Sequence, residues 1–398
     1  MTTIPTNVAA QSHVREAHGD PECYEIVADP GTLAALKREW EALYRRAVRP
    51  YFSQSFPWCW TSWETIGKQR GRRLHCIVVR RVGRTVLIWP FVIHRLGLWR
   101  IARPLGPETT EYTSVLVEDG PEAPVRVAQA WNLLRATCGA DIIAFPLVRP
   151  DSMLHRVLSA EPTPAYIEID PASHIRHAEY ADWDAYRLSL ANDMKKGIAR
   201  RRRRLKEKDE LVFEPCVSAE YRGVAIDWIL SQKHKWLSET KHRNPWLLTP
   251  EYRTFLTTMA EKSDCSSGII VSVLRSGDKI IAADLLRRDS VRVEDFLTAY
   301  DPAFAAYGPG QMILEDCLKW AFGQNLDFDL RIGGEAYKKQ WTAERTEVFS
   351  YEFAHTLWGR FYVLVRNAQR RLRRLRSKVP QAWREKIKAA LRRGRPAH

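Results

Sequence analysis

Apolar residues recur along this chain in two rhythms that alternate in blocks. Residues 24–28 (YEIVA) read as a short strand, and Leu33, Leu36, Trp40, Leu43 and Tyr44 then fall three and four apart, the period of a helix with one buried face. From Leu74 the period drops toward two. LHCIVVRR, a turn at VGR and TVLIWPFVIHRL predict a hairpin in which Gly83 supplies the turn, and TSVLVE (113–118) predicts a further strand after a Pro/Gly-rich loop. VRVAQAWNLLRAT is amphipathic and helical, and GADIIAFPLV returns to strand before the Pro-containing stretch EPTPAYIEIDP.

The second half repeats this order. Residues 182–208 predict a basic helix, LVFEPCV a strand, and residues 221–239 and 251–262 two more helices. Residues 267–301 then alternate as three strands, with turns at Ser276-Gly277-Asp278 and Asp289-Ser290. A loop at Tyr307-Gly308-Pro309-Gly310 opens a helix whose inner face is Ile313, Cys317, Trp320 and Ala321; the strand LDFDLRIG, a short helix and the strand TEVFSYEFAH follow. The expected fold class is α/β (α+β), two tandem halves each with a mixed central sheet flanked by helices. The expected boundaries are a disordered leader at 1–20, an N-terminal domain at 21–175, a C-terminal domain at 176–355 and a basic helical tail at 356–398.

A length of 398 residues, with 45% hydrophobic residues, supports two cores. The longest apolar run, Val86 to Ile93, is far too short to span a bilayer, and the N-terminus has no apolar signal core. Seven scattered cysteines without a CxxC pair read as reduced thiols of a cytoplasmic protein, and no Cys/His spacing suits a metal. The net charge of +15 changes meaning once it is located. Residues 356–398 hold 14 Lys/Arg against Glu385 alone, a net of +13, so the body is nearly neutral and a nucleic-acid partner is not expected. In the tail, Phe361, Leu364, Val365, Ala368, Leu372 and Leu375 share one helical face among arginines. That pattern suits either the surface of an anionic membrane or packing on the body. The basic run at Lys195, Lys196, Arg200 to Arg204, Lys206 and Lys208 reads as a grip on nucleic acid or on a ligand phosphate, or as a solvated helix, and only some of five consecutive arginines can face a ligand. Some of the 15 tryptophans could line a sugar-binding cleft with their flat faces.

The chemistry concentrates in residues 291–334. A helix N-terminus presents free N–H groups and a partial positive charge, which suits a pyrophosphate, and Gly308 and Gly310 allow the backbone to approach it. Carboxylates and tyrosines on the neighbouring strands can remove a proton from a nucleophile and protonate a leaving group. Asp284, Glu294, Asp295 and Asp329 are candidate bases; Tyr300 and Tyr337 are candidate acids.

Three segments resemble the GNAT superfamily, specifically its CelD-type family of acetyltransferases associated with cellulose and exopolysaccharide synthesis, related in fold to the Fem aminoacyltransferases. They are FSQSFPWCWTSW with Trp58, Trp60 and Trp63; LSLANDMKKGIARRRRRLKEKDELVFEP; and the run Ala299-Tyr300-Asp301, Gly308-Pro309-Gly310, Asp327-Phe328-Asp329 and Gly333-Gly334-Glu335-Ala336-Tyr337-Lys338. The resemblance implies two GNAT-like halves and transfer of an acyl group from acetyl-CoA or another acyl-CoA, without a metal. It implies a small-molecule or sugar acceptor, such as a cell-surface polysaccharide precursor. Tyr300, Gly308, Gly310 and Gln311 are expected to hold the donor. Asp329, Glu335, Tyr337 and Lys338 are expected at the reacting centre, with Asp329 or Glu335 as base and Tyr337 beside it. The expected location is the cytoplasm, with peripheral contact to the inner membrane through the basic tail. The alternatives are a tRNA-dependent transferase of the Fem type and a non-catalytic membrane scaffold.

Overall fold

The computed structural model describes residues 13–15, 22–47, 49–162, 164–240, 244–333 and 335–378. In the first half, β1 (His13–Arg15) and β2 (Glu22–Val27) precede α1 (Pro30–Ala35), α2 (Lys37–Arg46) and α3 (Phe56–Ser62). There follow β3 (Arg73–Arg81), β4 (Arg84–Leu96), β5 (Trp99–Pro104), β6 (Leu116–Val117), α4 (Ala123–Thr137), β7 (Ile142–Val148), α5 (Met153–Ser159) and β8 (Tyr166–Ile175). The second half opens with α6 (Trp183–Ser189), α7 (Asn192–Lys206), β9 (Leu211–Glu214), α8 (Ala219–Glu239) and α9 (Pro250–Glu261). It continues with β10 (Gly268–Ser276), β11 (Lys279–Arg288), β12 (Arg292–Tyr300), α10 (Pro309–Gly323), β13 (Asp327–Ile332), α11 (Lys338–Trp341), β14 (Arg345–Ala354) and α12 (Leu357–Lys378).

These strands form one continuous sheet in the order β1-β2-β3-β4-β5-β7-β14-β8-β13-β12-β11-β10-β9, with β6 on β4. The order has an internal symmetry. In each half an antiparallel meander ends on a parallel pair, β5 with β7 and β12 with β13. Each half then lends its last strand to the other: β8 pairs with β13, and β14 pairs with β7. The two lent strands meet antiparallel at the centre. The two-half repeat read from element order is therefore present in the topology, with the halves interlaced.

Helices cover both faces. Trp89, Phe91, Phe145 and Trp131 centre one core under α4, and Leu33, Trp40, Phe56 and Trp63 another under α1 to α3. In the second half, Ile313, Cys317 and Ala321 of α10 bury as their spacing predicts, packed against Ile281, Leu286 and Phe328. Trp58 of the tryptophan helix is fully buried against Phe255 and Phe296, so it braces the two halves instead of lining a sugar cleft.

Five expectations change. The strands β5 and β8 are additional to the elements that the periodicity predicts. Residues 182–208 are two helices, broken at Leu190 and Ala191 and each started afresh, with the Asp182 carboxylate capping Ala185 N–H at 2.8 Å. Within the segment expected as a disordered leader, His13–Arg15 pairs with β2, while the rest of 1–20 lies outside the described residues. Cys216 and Cys265, read as reduced thiols, form a disulfide with Cα atoms 6.0 Å apart, linking the segment after β9 to the loop before β10.

The tail also differs from the separable element expected from residue 356. Tyr362 and Val363 are buried against Ile101, Ile142 and Ala144, and Thr356 Oγ1 donates to Asp141 at 2.9 Å. Residues 379–398 lie outside the described residues.

Candidate active site

The parallel pair β12 and β13 holds for three residues, from Arg292 opposite Asp327 to Glu294 opposite Asp329, and then parts. Two bulges drive the strands apart. Phe296 has no counterpart on β11, where Leu285 faces Leu297 and Leu286 faces Asp295, and Leu330 has none on β8. Arg331 follows the second bulge at φ +64°, and Asp329 Oδ1 holds this turn by accepting the Arg331 N–H at 2.7 Å.

A cleft of about 570 Å³ opens where the strands part. Tyr300, Gly308, Gly310, Gln311, Glu335, Tyr337 and Lys338 all line it, so seven of the eight residues expected from the sequence share one cavity. Asp329 is the exception. It is buried behind the cleft, where its carboxylate accepts the Tyr112 hydroxyl at 3.0 Å and faces Arg149 at 3.5 Å. Burial holds its pKa above the ordinary carboxylate range despite Arg149. Its geometry suits holding the bulge rather than touching a substrate. Glu294, weighed as a base, is likewise committed to an ion pair with buried Arg287.

One end of the cleft is the start of α10. Gly308 caps it in the left-handed region at φ +62°, Pro309 has no N–H, and Gln311 and Met312 donate to Gly308 O at 3.1 and 3.3 Å, which leaves the Gly310 N–H as the open backbone donor of this first turn among the described residues. A Cβ on Gly308 would lie 3.2 Å from Arg201 Nε, and Arg201 also donates to Gln311 Oε1 at 2.5 Å. The arginine run thereby divides its work. Arg201 faces the α10 N-terminus, Arg204 and Lys208 lie over the Tyr307 ring at 5.7 and 5.4 Å, and Arg202 pairs with Glu315 and Asp316.

At the other end sits a cluster of charge. Asp295 lies in the cleft wall; Asp284, fully buried, lies behind it, and Thr298 Oγ1 stands 2.8 Å from the first and 3.2 Å from the second. Burial raises both carboxyls, Asp284 well above its usual range, and Asp295 beside it pushes Asp284 further the same way. Lys233 and Lys338 flank Asp295 and favour its ionised form. Burial also raises the Tyr337 hydroxyl, with Asp295 and Glu335 adding to the effect, so it keeps its proton. Arg331 crosses the cleft to Glu111, on a loop of the first half, and donates to Phe296 O at 2.5 Å; burial lowers its pKa to about 10.

Sequence reasoning weighed Asp284 and Asp295 but favoured others, and missed Lys233 and Glu111. Lys233 lay in an unremarkable helix and Glu111 in a loop of the other half, so spacing carried no signal for either. Among the described residues, no helix is long and apolar enough to cross a membrane.

No curated protein matches the sequence of this chain. Its fold is similar to that of FemX (TM-score 0.56, 11% identity, covering 81% of this chain and 97% of that one). It is also similar to a conserved protein of unknown function from Bacteroides thetaiotaomicron VPI-5482 (TM-score 0.51, 11% identity, 82% and 99%). Residues 192–339, which carry every cleft residue named above except Glu111, match the family described as the acetyltransferase (GNAT) domain, and the protein is accordingly an acyltransferase of GNAT fold.

Proposed function

We propose that the cleft moves an acyl group from acyl-CoA, acetyl-CoA being the expected donor, to an amine or hydroxyl of a small acceptor. The observation that carries this reading is the meeting, in one cavity, of a helix N-terminus open to a pyrophosphate and a carboxylate beside a protonated tyrosine. The fit on the donor side is local: Gly310 has no Cβ between its N–H and the cleft, and Arg201 adds a cation beside Gly308.

In this reading Asp295 takes the proton as the acceptor attacks the thioester carbon, the new acyl bond forms, and the carbon–sulfur bond breaks. Tyr337 supplies a proton to the departing thiolate. Lys338, bonded to Ile332 O and paired with Glu335 at 3.1 Å, holds the segment that carries Tyr337. Asp295, Glu111 and Glu335 favour an acceptor bearing an amino group, and the half-exposed Tyr300 ring offers a flat face for a sugar. A sugar or polysaccharide precursor fits the CelD-type resemblance. The cytoplasmic side of the membrane follows from the donor, and the basic C-terminal segment supplies a contact with the inner surface.

The test is calorimetry with CoA. A Cβ on Gly310 would already touch the Tyr300 ring at 3.5 Å, so Gly310→Val should crowd the N-terminus and lose CoA binding while the chain stays folded. Normal CoA affinity in a folded Gly310→Val protein removes α10 from the donor site. Failure of the unaltered protein to bind CoA, with binding of aminoacyl-tRNA instead, would favour the Fem-type reaction.

A further inference from the structure

Far from the cleft, the β4–β5 hairpin tip and the start of α12 present apolar side chains to water. Leu98 is 76% exposed and Leu364 67%, and Leu96, Trp358 and Phe361 are each about half exposed. They form one surface. Trp358 stacks on Trp99 at 5.6 Å and on Phe361 at 5.3 Å. The Trp358 N–H donates to Leu98 O at 3.3 Å and the Trp99 N–H to Trp358 O at 3.1 Å. Both indole N–H groups are therefore satisfied within the protein, and hydrocarbon is what remains outward.

Beside this patch, and sharing Leu96 with it, lies a cavity of about 830 Å³ lined by Arg70, Arg72, Arg73, Arg95, Arg100 and Arg103. Among the described residues Glu108 is its one lining carboxylate, bound by Arg72, while Arg70 and Arg100 reach Glu251 and Asp141 outside the lining at 3.9 Å each. Arg103 is half-buried, and its Nε, shielded from solvent, has no hydrogen-bond partner among the described residues. Cations gathered in a concave site with one anion among them call for a phosphate. A soluble polyanion would answer the arginines and leave the leucines and tryptophans in water. An anionic bilayer answers both, since apolar side chains enter the headgroup region while arginines meet lipid phosphates.

We propose that this surface docks the protein on an anionic bilayer, with the hairpin tip and the first turns of α12 inserted and a phospholipid phosphate among the arginines. The inference rests on the membrane contact read from the basic C-terminal segment and moves it from loose charge to a folded surface.

The experiment is sedimentation of the full-length protein with vesicles of phosphatidylcholine alone or mixed with phosphatidylglycerol, at physiological salt. Leu98→Asp and Arg95→Glu alter exposed side chains, and thermal melting checks their fold. A third variant reverses Arg392, Arg393 and Arg395 in the intact chain. The expected result is binding that requires phosphatidylglycerol, weakened about tenfold or more by Leu98→Asp and severalfold by Arg95→Glu, with most of it kept by the triple reversal. If both surface variants bind like the unaltered protein while the triple reversal abolishes binding, the docking surface is wrong and the tail reading survives. If the unaltered protein ignores both vesicles, both fall. If it instead shifts RNA, with no effect of Leu98→Asp, the arginines serve a soluble polyanion and the proposal is overturned.

Discussion

Thr298 has one hydroxyl proton and stands between two carboxylates. If both were ionised, one contact would set oxygen lone pairs against a negative charge. A protonated Asp284 donating to Thr298, which in turn donates to Asp295, gives both hydroxyl protons an acceptor and agrees with the stronger upward shift at Asp284. Asp295 is then the ionised member, facing the cleft. Asp295→Asn should lower kcat by about 10²- to 10⁴-fold with little change in CoA affinity, and flatten the acid limb of the pH profile, since the base works only above its raised pKa. Thioester cleavage at the normal rate in that variant would pass the role to Glu335. The same chemistry predicts a trade with stability. A carboxyl whose pKa is higher in the folded than the unfolded chain contributes stability that is full below the unfolded value and is lost as pH rises through the folded value. Asp284→Asn should therefore melt higher than the unaltered protein near neutral pH, and lose less stability on going up from acid, while turnover falls. Equal melting curves across that range would mean that Asp284 is not held protonated.

Among the elements, those built from local pattern were legible. The β10–β11–β12 meander, with its turns at Gly277 and Asp289, and the buried face of α10 follow directly from period and turn residues. The strands β5 and β8 were not, for a physical reason. WRIARP pairs with the neighbouring β4 across a tight turn, but its two arginines and proline break the apolar alternation, whereas YIEIDPASHI, with a run of exposed positions and a proline, owes its pairing to β13 and β14, distant in sequence. The site split the same way. The Gly-Pro-Gly loop and the Tyr-Lys pair are local motifs, whereas the roles of Asp295 and Asp329 depend on which side of the splayed strands each carboxylate faces. The start of α12 gives a test of sign. In an exposed helix interior, Gly→Ala stabilises by about 1 kcal/mol. A Cβ on Gly359, however, would lie 2.1 Å from Asp141 O. Gly359→Ala should instead destabilise by about 1–3 kcal/mol, read as a fall in the denaturation midpoint. A stabilised variant would show that α12 is not seated on the sheet. The disulfide supplies another test: replacing Cys216 and Cys265 by Ser opens a link across a sequence separation of 49 residues and should cost about 2–4 kcal/mol under oxidising conditions and nothing under reducing ones.

At the scale of the molecule, the two exchanged strands decide whether the halves are domains in the thermodynamic sense. A cut at 175/176, the boundary expected from sequence, falls just after β8. The first half would keep a strand whose partners, β13 and β14, are both on the other piece. The second would keep β14 without β7 or β8. Each fragment would expose unpaired backbone along a strand that is central in the intact sheet, a costly and aggregation-prone edge. The cleft would be incomplete as well, because Glu111 reaches Arg331 and Tyr112 reaches Asp329 from the first half. The intact chain should therefore unfold in one cooperative transition, with tryptophan fluorescence and circular dichroism coincident in denaturant. Fragments 21–175 and 176–355 should be unfolded or aggregated when made apart and recover CoA binding when made together. Two separated transitions, or a soluble 176–355 fragment that binds CoA alone, would mean that the lent strands are appendages and that the catalytic half stands by itself.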